Sequence, residues 1–379
     1  MDMKKVLVIP DSFKGTLSSK TICNIMRERI GAFFPQTEVV TIPVADGGEG
    51  SVECFLSAVG GDWISCRAAN PYFEEMQAFY GILQGGRTAV VEMAACAGLP
   101  LVETRKNPLL TTTYGVGELM LDAAKRGVEE IILGLGGSAT NDFGCGAAAA
   151  LGVKFYNAQG EEFVPVGGTL SQIAKIDVSG IRSELQGVRI TLVCDVKNPV
   201  YGKTGAAYIY APQKGASEKD VEVLDEGLRQ VCEIVKRDLG KDLSSLMGGG
   251  AAGAMAGGMH AFFNATLKMG IEVVLDTVGF DDLLKGADFV LTGEGKLDSQ
   301  SLAGKVVVGV AQRAKKQGVP TVAVVGGVEE NISGVYDLGV SAIFPINRRP
   351  EDLAVSRHKS EQNLKETMDD ILRLLAALG

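Results

Sequence analysis

Six short apolar runs, each followed within a few residues by glycine or an acid, constrain the fold of this chain more than any other feature. Val6–Pro10 leads into Asp11-Ser12-Phe13-Lys14-Gly15, and Val39–Val44 into Ala45-Asp46-Gly47-Gly48-Glu49-Gly50. Ile131–Leu133 leads into Gly134-Leu135-Gly136-Gly137-Ser138-Ala139-Thr140-Asn141-Asp142, and Ile190–Cys194 into Asp195-Val196-Lys197-Asn198-Pro199. Phe289–Leu291 leads into Thr292-Gly293-Glu294-Gly295-Lys296-Leu297-Asp298, and Thr321–Val325 into Gly326-Gly327. Continuous rather than alternating apolar runs of this length suit strands buried on both faces of a parallel sheet. Helical patterns lie between several of them. Ser18 is placed to cap a helix whose Ile22, Ile25, Met26 and Ile30 share one face, and Ser217 with Asp220 forms a capping box ahead of Val221–Leu239. Gln300–Gln317 and Glu361–Leu378 are helical by period. The alternation predicts an α/β architecture.

One stretch breaks the rhythm. Trp63–Ala69, Met76–Leu83 and Thr88–Met93 follow one another closely, the last two joined by Gln84-Gly85-Gly86-Arg87, which reads as an antiparallel hairpin or meander. A chain of 379 residues has room for two ordinary domains. The expectation is a discontinuous parallel-sheet domain, residues 1–62 and 281–379. A second α/β domain with a mixed or antiparallel sheet, 63–280, is inserted into it.

Composition removes whole classes of function. The net charge is −9 and no Lys/Arg block stands out, so neither a nucleic-acid nor an anionic-membrane surface is expected. Only His260 and His358 are present, which disfavours histidine metal clusters and a Ser-His-Asp triad. Seven scattered cysteines form no Cys-x-x-Cys pair and read as reduced core thiols. The first apolar run is too short for a signal peptide, and the expected location is the cytoplasm. Glycine is abundant, with 49 residues and no Gly-X-Y period, so it implies turns and close backbone approaches.

Gly134–Ala139 matches Gly-x-Gly-x-x-Ala after a strand, a form of the dinucleotide fingerprint, but the acid expected about 20 residues later falls near Tyr156. Without a ligand it is a tight strand-to-helix turn. The hydroxyl, amide and carboxylate groups of Ser138, Thr140, Asn141 and Asp142 favour an anion site. No Walker-type loop exists, and Asp142-Phe143-Gly144 lacks the partner motifs of a protein kinase. Asp11, Asp46, Glu49, Asp195, Glu294 and Asp298 would each lie beyond the carboxyl end of a parallel strand, where α/β folds bind ligands. Carboxylates with Lys14, Lys296 or Lys305 nearby suit Mg²⁺ held with a polyphosphate, and phosphoryl transfer needs no histidine. A single such Asp is as readily a helix cap or turn residue. Gly248–Gly258 reads equally as a second phosphate cradle or as tight helix packing, and His260 as a core histidine.

Taken in order, Pro10–Gly15, Pro43–Gly50, Gly136–Asp142, Asp195–Pro199, Pro212-Gln213-Lys214-Gly215-Ala216 and Thr292–Asp298 resemble the bacterial glycerate kinase family over nearly the whole chain. The resemblance implies ATP- and Mg²⁺-dependent phosphorylation of D-glycerate, at the 2-hydroxyl, by a monomer or homodimer, with the discontinuous domain Rossmann- or flavodoxin-like and the inserted one a second α/β domain. The catalytic candidates are Asp195, Asp46 and Lys14, with either Asp as the base. ATP would be held by Gly136, Gly137, Ser138, Asn141, Asp142, Gly293, Gly295 and Lys305. Asp11, Ser12, Asn198 and Glu49 would meet glycerate, while Glu294 and Asp298 would hold Mg²⁺. Phe143 stands where the family pattern has glycine, Gly249 where it has alanine, and Lys296 where it often has arginine. Asn70-Pro71-Tyr72-Phe73 replaces a Gly-Pro-Leu-Gly turn. Two rival readings are a dinucleotide-dependent oxidoreductase of a small hydroxy acid and a non-catalytic two-domain module that binds a small acid.

Overall fold

The computed structural model describes residues 3–44, 47–299, 301–349 and 351–377. Among them the strands are β1 (Lys5–Pro10), β2 (Glu38–Thr41), β3 (Gly61–Ala69), β4 (Glu75–Leu83), β5 (Thr88–Glu92), β6 (Glu130–Gly134) and β7 (Lys154–Tyr156). They continue with β8 (Glu162–Phe163), β9 (Lys175–Asp177), β10 (Arg189–Val193), β11 (Thr266–Lys268), β12 (Phe289–Gly293), β13 (Thr321–Val325) and β14 (Val340–Pro345). The chain divides into two compact units, one of residues 1–46, 57–59 and 269–379, the other of residues 47–56 and 60–268.

The first unit is built on a five-stranded sheet in the order β14-β13-β12-β1-β2, parallel throughout. Counted along this unit alone, the order is 2-1-3-4-5, the flavodoxin-like doubly wound arrangement. Val6, Leu7, Val8 and Ile9 of β1 are fully buried, as expected for a central parallel strand. Helix Ser19–Phe33 is capped by Ser18, whose hydroxyl accepts from Thr21 N, and it buries Ile22, Ile25, Met26 and Ile30. Helix Ser360–Ala377 packs beside it, with Leu364, Met368, Ile371 and Leu372 joining the same core. The helix expected over Gln300–Gln317 is shorter: a single 3₁₀ turn, Ser301–Ala303, precedes Gly304, and the helix proper is Val306–Lys316. Gly304 lies at φ +102°, outside helical space, so periodicity alone extended the element too far.

The second unit carries a six-stranded mixed sheet, β11-β10-β6-β5-β4-β3. Its β3–β4–β5 segment is the antiparallel meander read from the sequence, while β5, β6, β10 and β11 are parallel. A small antiparallel sheet, β8-β7-β9, was not foreseen; its strands have at most three residues, too few for a period-2 signal. Helix Glu218–Leu239 begins with the expected capping box, Ser217 and Asp220 bonding reciprocally. All seven cysteines are free thiols. Among the described residues no helix is long and apolar enough to cross a membrane.

Candidate active site

In the first unit the strand order reverses between β1 and β12, and the loops leaving these strands are neighbours. Asp11 N donates to Gly293 O at 2.8 Å, and the Gly295 backbone lies against Phe13 and Lys14. Ligands of open α/β sheets bind at such switch points, because the two loops diverge there and leave a crevice. Asp11 and Ser12 follow β1, with Asp11 Oδ1 accepting from Ser12 N at 2.6 Å. Lys14 is exposed and Lys305 half-buried, at the start of helix Val306–Lys316. Glu294 follows β12 and is 5% exposed, with its Oε1 buried and unpartnered. Burial pushes its carboxyl up to about 7; the Ser301 hydroxyl and Lys305 oppose the shift, while Asp11 and Asp298 reinforce it. Asp298 is tied to Ser301, accepting from Ser301 N at 3.2 Å and donating its own N–H to Ser301 Oγ at 3.1 Å. Asp11, Glu294, Asp298 and Lys305 therefore form one electrostatic cluster, although up to 294 positions of sequence separate them.

In the second unit the carboxyl ends of β5, β6 and β10 stand in register, Glu92 opposite Gly134 and Gly134 opposite Val193. The Gly47-Gly48 backbone lies across these ends. Gly136 N donates to Gly47 O at 2.9 Å, and a Cβ on Gly136 would come within 2.4 Å of Gly48 Cα. Only glycine permits that approach, and the Gly136 amide is already used inside the unit. Glu92, 2% exposed, accepts from Val52 N at 2.6 Å and Gly50 N at 3.3 Å, holding the start of helix Ser51–Val59. Burial raises its carboxyl above the usual range, against these two donors. Glu49 is exposed, and its carboxylate reaches the vicinity of Gly137. Asp46 lies outside the described residues.

The loop Leu135–Gly144 does not open directly into a helix; the next helix, Cys145–Ala150, is short and starts well after the glycines. Its main chain is bridged to the junction between helix Ala94–Ala97 and the 3₁₀ turn Leu99–Val102, with Leu99 N donating to Gly137 O and Ala139 N to Ala97 O, both at 2.8 Å. Asp142 is fully buried and accepts from Thr113 N, Thr113 Oγ1, Gly144 N and Gly146 N at 2.8–3.2 Å. Burial raises its pKa against those four donors. Its carboxylate thus faces into the loop it shapes. Asn141 is also fully buried, and neither of its amide atoms has a hydrogen-bond partner; Thr140 Oγ1 is in the same state. Buried polar groups without partners are uncommon and mark places where water or a ligand is required.

Asp195 is half-buried just beyond β10. The Asn198 amide is clamped, Nδ2 donating to Thr204 O at 2.8 Å and Oδ1 accepting from Tyr210 O–H at 2.7 Å. The Gly248–Gly258 run serves packing: a Cβ on Gly250 or Gly258 would fall within 2.1 Å of the Pro199 or Phe143 carbonyl oxygen. His260 Nδ1 hydrogen-bonds with Ala265 O at 3.0 Å. Reading along the chain missed Glu92 and Thr113, and it placed Lys214 within the Pro212–Ala216 motif without giving it a role. A buried lysine in a Pro-Gln-Lys-Gly turn has no local signal to separate it from a surface lysine.

A model of the glycerate kinase family matches residues 6–376. The glycerate kinase of Bacillus cereus is 44% identical over 368 residues, covering 97% of both chains. The glycerate 2-kinase of Escherichia coli K12 is 41% identical over 343 residues, 90% of each chain. A crystal structure from Salmonella typhimurium LT2 has a TM-score of 0.87 at 37% identity, covering 99% of both chains.

Proposed function

The chain belongs to the glycerate kinase family, and from that premise we propose that it phosphorylates D-glycerate with ATP, giving 2-phosphoglycerate and ADP. The observation that carries this reading is the switch-point cluster of Asp11, Glu294, Asp298 and Lys305, with a buried carboxylate oxygen that lacks a partner. Phosphoryl transfer is mostly positioning and charge neutralisation, and these are the groups it calls for.

Among the described residues, no three His, Cys, Asp or Glu side chains are gathered to hold a metal ion. Mg²⁺ commonly takes only one or two carboxylates and completes its shell with phosphate and water, so this oxygen-donor set fits it. Glu294 and Asp298 would hold the ion, which supplies charge neutralisation on the phosphate oxygens when bound. Lys305 or Lys14 offsets negative charge on the transferring phosphoryl or binds the glycerate carboxylate. In the second unit, Gly137 and Ser138 meet phosphate oxygens and Gly136 supplies the close backbone crossing. Asn141 offers its amide, and Asp142 keeps the loop in shape. Asp195 or Asp46 orients or deprotonates the glycerate hydroxyl. Asp11 and Ser12 in the first unit, and Glu49 and Asn198 in the second, are the proposed glycerate contacts. Gly293 and Gly295 would meet the nucleotide through their main chain only, because the space a side chain would take is filled by Val324 O at Gly293 and by the Phe13–Lys14 backbone at Gly295.

The dinucleotide reading loses support, because the glycines that would open a helix instead precede a long loop, and no helix begins before Cys145. Incubation with D-glycerate and MgATP, followed by phosphorus NMR, tests the proposal. The expected product is 2-phosphoglycerate; the 3-phosphate would overturn the regiochemistry, and no phosphoglycerate would overturn the reaction.

A further inference from the structure

Lys214 occupies the turn Pro212–Lys214 and is 1% exposed. Lysines are seldom buried this deeply, because removing an ammonium from water is costly unless partners compensate it. Burial pulls its pKa down to about 7, and the nearby Asp142 opposes the shift. Both of its described hydrogen bonds go to one place. Nζ donates to Ser138 Oγ and to Thr140 O, each at 2.7 Å, across 76 and 74 positions of sequence.

The direction of the first bond has a consequence. When charged, Lys214 has donors and no acceptor, so Ser138 Oγ accepts and its own hydrogen points away from Lys214; the nearby Asp142 and the two oxygen acceptors favour that charged form. The main chain on either side of Ser138 is already pinned, through Gly137 O and Ala139 N, to the Ala97–Leu99 segment. With backbone and hydroxyl both held, Ser138 is left as an oriented hydrogen-bond donor. Two and three residues along the loop, Thr140 and Asn141 present buried side-chain polar atoms with no partner. A tethered donor, a cation beneath the loop and orphaned polar atoms beside it are suited to an anionic group.

We propose that Lys214 is a positioning residue that holds the Ser138 hydroxyl as a donor toward an anionic oxygen of the substrates, a phosphoryl or a carboxylate. The inference rests on the phosphorylation reading for its catalytic consequence, but not for its binding consequence. Lys214 need not touch substrate; it acts through Ser138 and through its charge.

The test compares the wild type with K214M, S138A and K214M/S138A. In each, kcat and KM are measured for glycerate and MgATP alongside the melting temperature. K214M should lower kcat/KM at least ten-fold in a folded protein, with methionine filling the space and only a modest fall in melting temperature from the Ser138 Oγ and Thr140 O acceptors that lose their donor. S138A should lose a comparable factor, and the double variant should be within about two-fold of the worse single one, because both remove the same interaction. Turnover of folded K214M within two-fold of wild type overturns the inference, as do losses that multiply in the double variant. Should K214M not fold, S138A decides: turnover within two-fold of wild type overturns it. Calorimetry with inorganic phosphate supplies a readout independent of turnover. Wild-type binding that K214M and S138A weaken at least ten-fold supports the inference; equal affinities, or no binding to the wild type, overturn it. A wild type that binds phosphate yet does not phosphorylate glycerate fails the functional reading alone.

Discussion

Phe73 and Phe143 hold left-handed backbone, φ 61° and 57°, at two of the positions where the resemblance led to the expectation of glycine. A left-handed bulky residue costs roughly 1–2 kcal/mol, so each must be retained by its surroundings. Phe143 is fully buried, edge-on to Phe262 at 5.9 Å, whereas Phe73 is half exposed and tilted against Tyr114. Both departures were legible in the sequence; that the rings compensate the backbone was not. Glu294 illustrates a second residue-scale effect. Its folded pKa is raised, so between about pH 4.5 and 7 the native state holds a proton that the unfolded chain has lost. The stability it contributes is complete below its unfolded pKa and declines as pH rises through about 7. E294Q removes this decline. Melting in EDTA should show the variant gaining on the wild type between pH 5 and 8, by at most about 3 kcal/mol. A constant gap across that range would contradict the assignment.

Caps show what single elements can and cannot announce. The Ser18 cap and the Ser217–Asp220 box sit beside the helices they start, so three or four residues of sequence suffice to find them. Helix Ser51–Val59 starts behind Gly50, which has no side chain to cap with, and its free N–H groups are met by Glu92 instead. That cap arrives from 40 and 42 positions away, at the end of β5, and no local pattern reveals it. E92A should destabilise the protein by about 1–3 kcal/mol by leaving buried donors unpaired, with E92Q milder. Urea denaturation would measure both. The same local limit explains the helix expected from Gln300: the apolar period continues through 301–303, and the positive φ of Gly304 ends it.

At the scale of the molecule, each unit closes around its own core. Val8, Leu291 and Val324 belong to one, Val91, Leu133 and Leu192 to the other. L291A should cost about 2–5 kcal/mol through the cavity it leaves. In native-state hydrogen exchange, amides of β1, β12 and β13 should then exchange faster while those of β5, β6 and β10 keep wild-type rates. Uniform acceleration would show one cooperative core. The sequence by itself determined the α/β class, the parallel strands with their acid- and glycine-rich ends, the antiparallel meander and the locally capped helices. Each of these depends on residues a few positions apart, through strand or helix period and backbone propensity. Only the tertiary structure decided the 2-1-3-4-5 strand order that gathers Asp11 with Glu294, and the burial that raises the Glu294 carboxyl. It alone brought Gly136 against Gly48 and Lys214 under Ser138. Those are contacts between distant segments, and burial and charge environment come into being only when the segments pack.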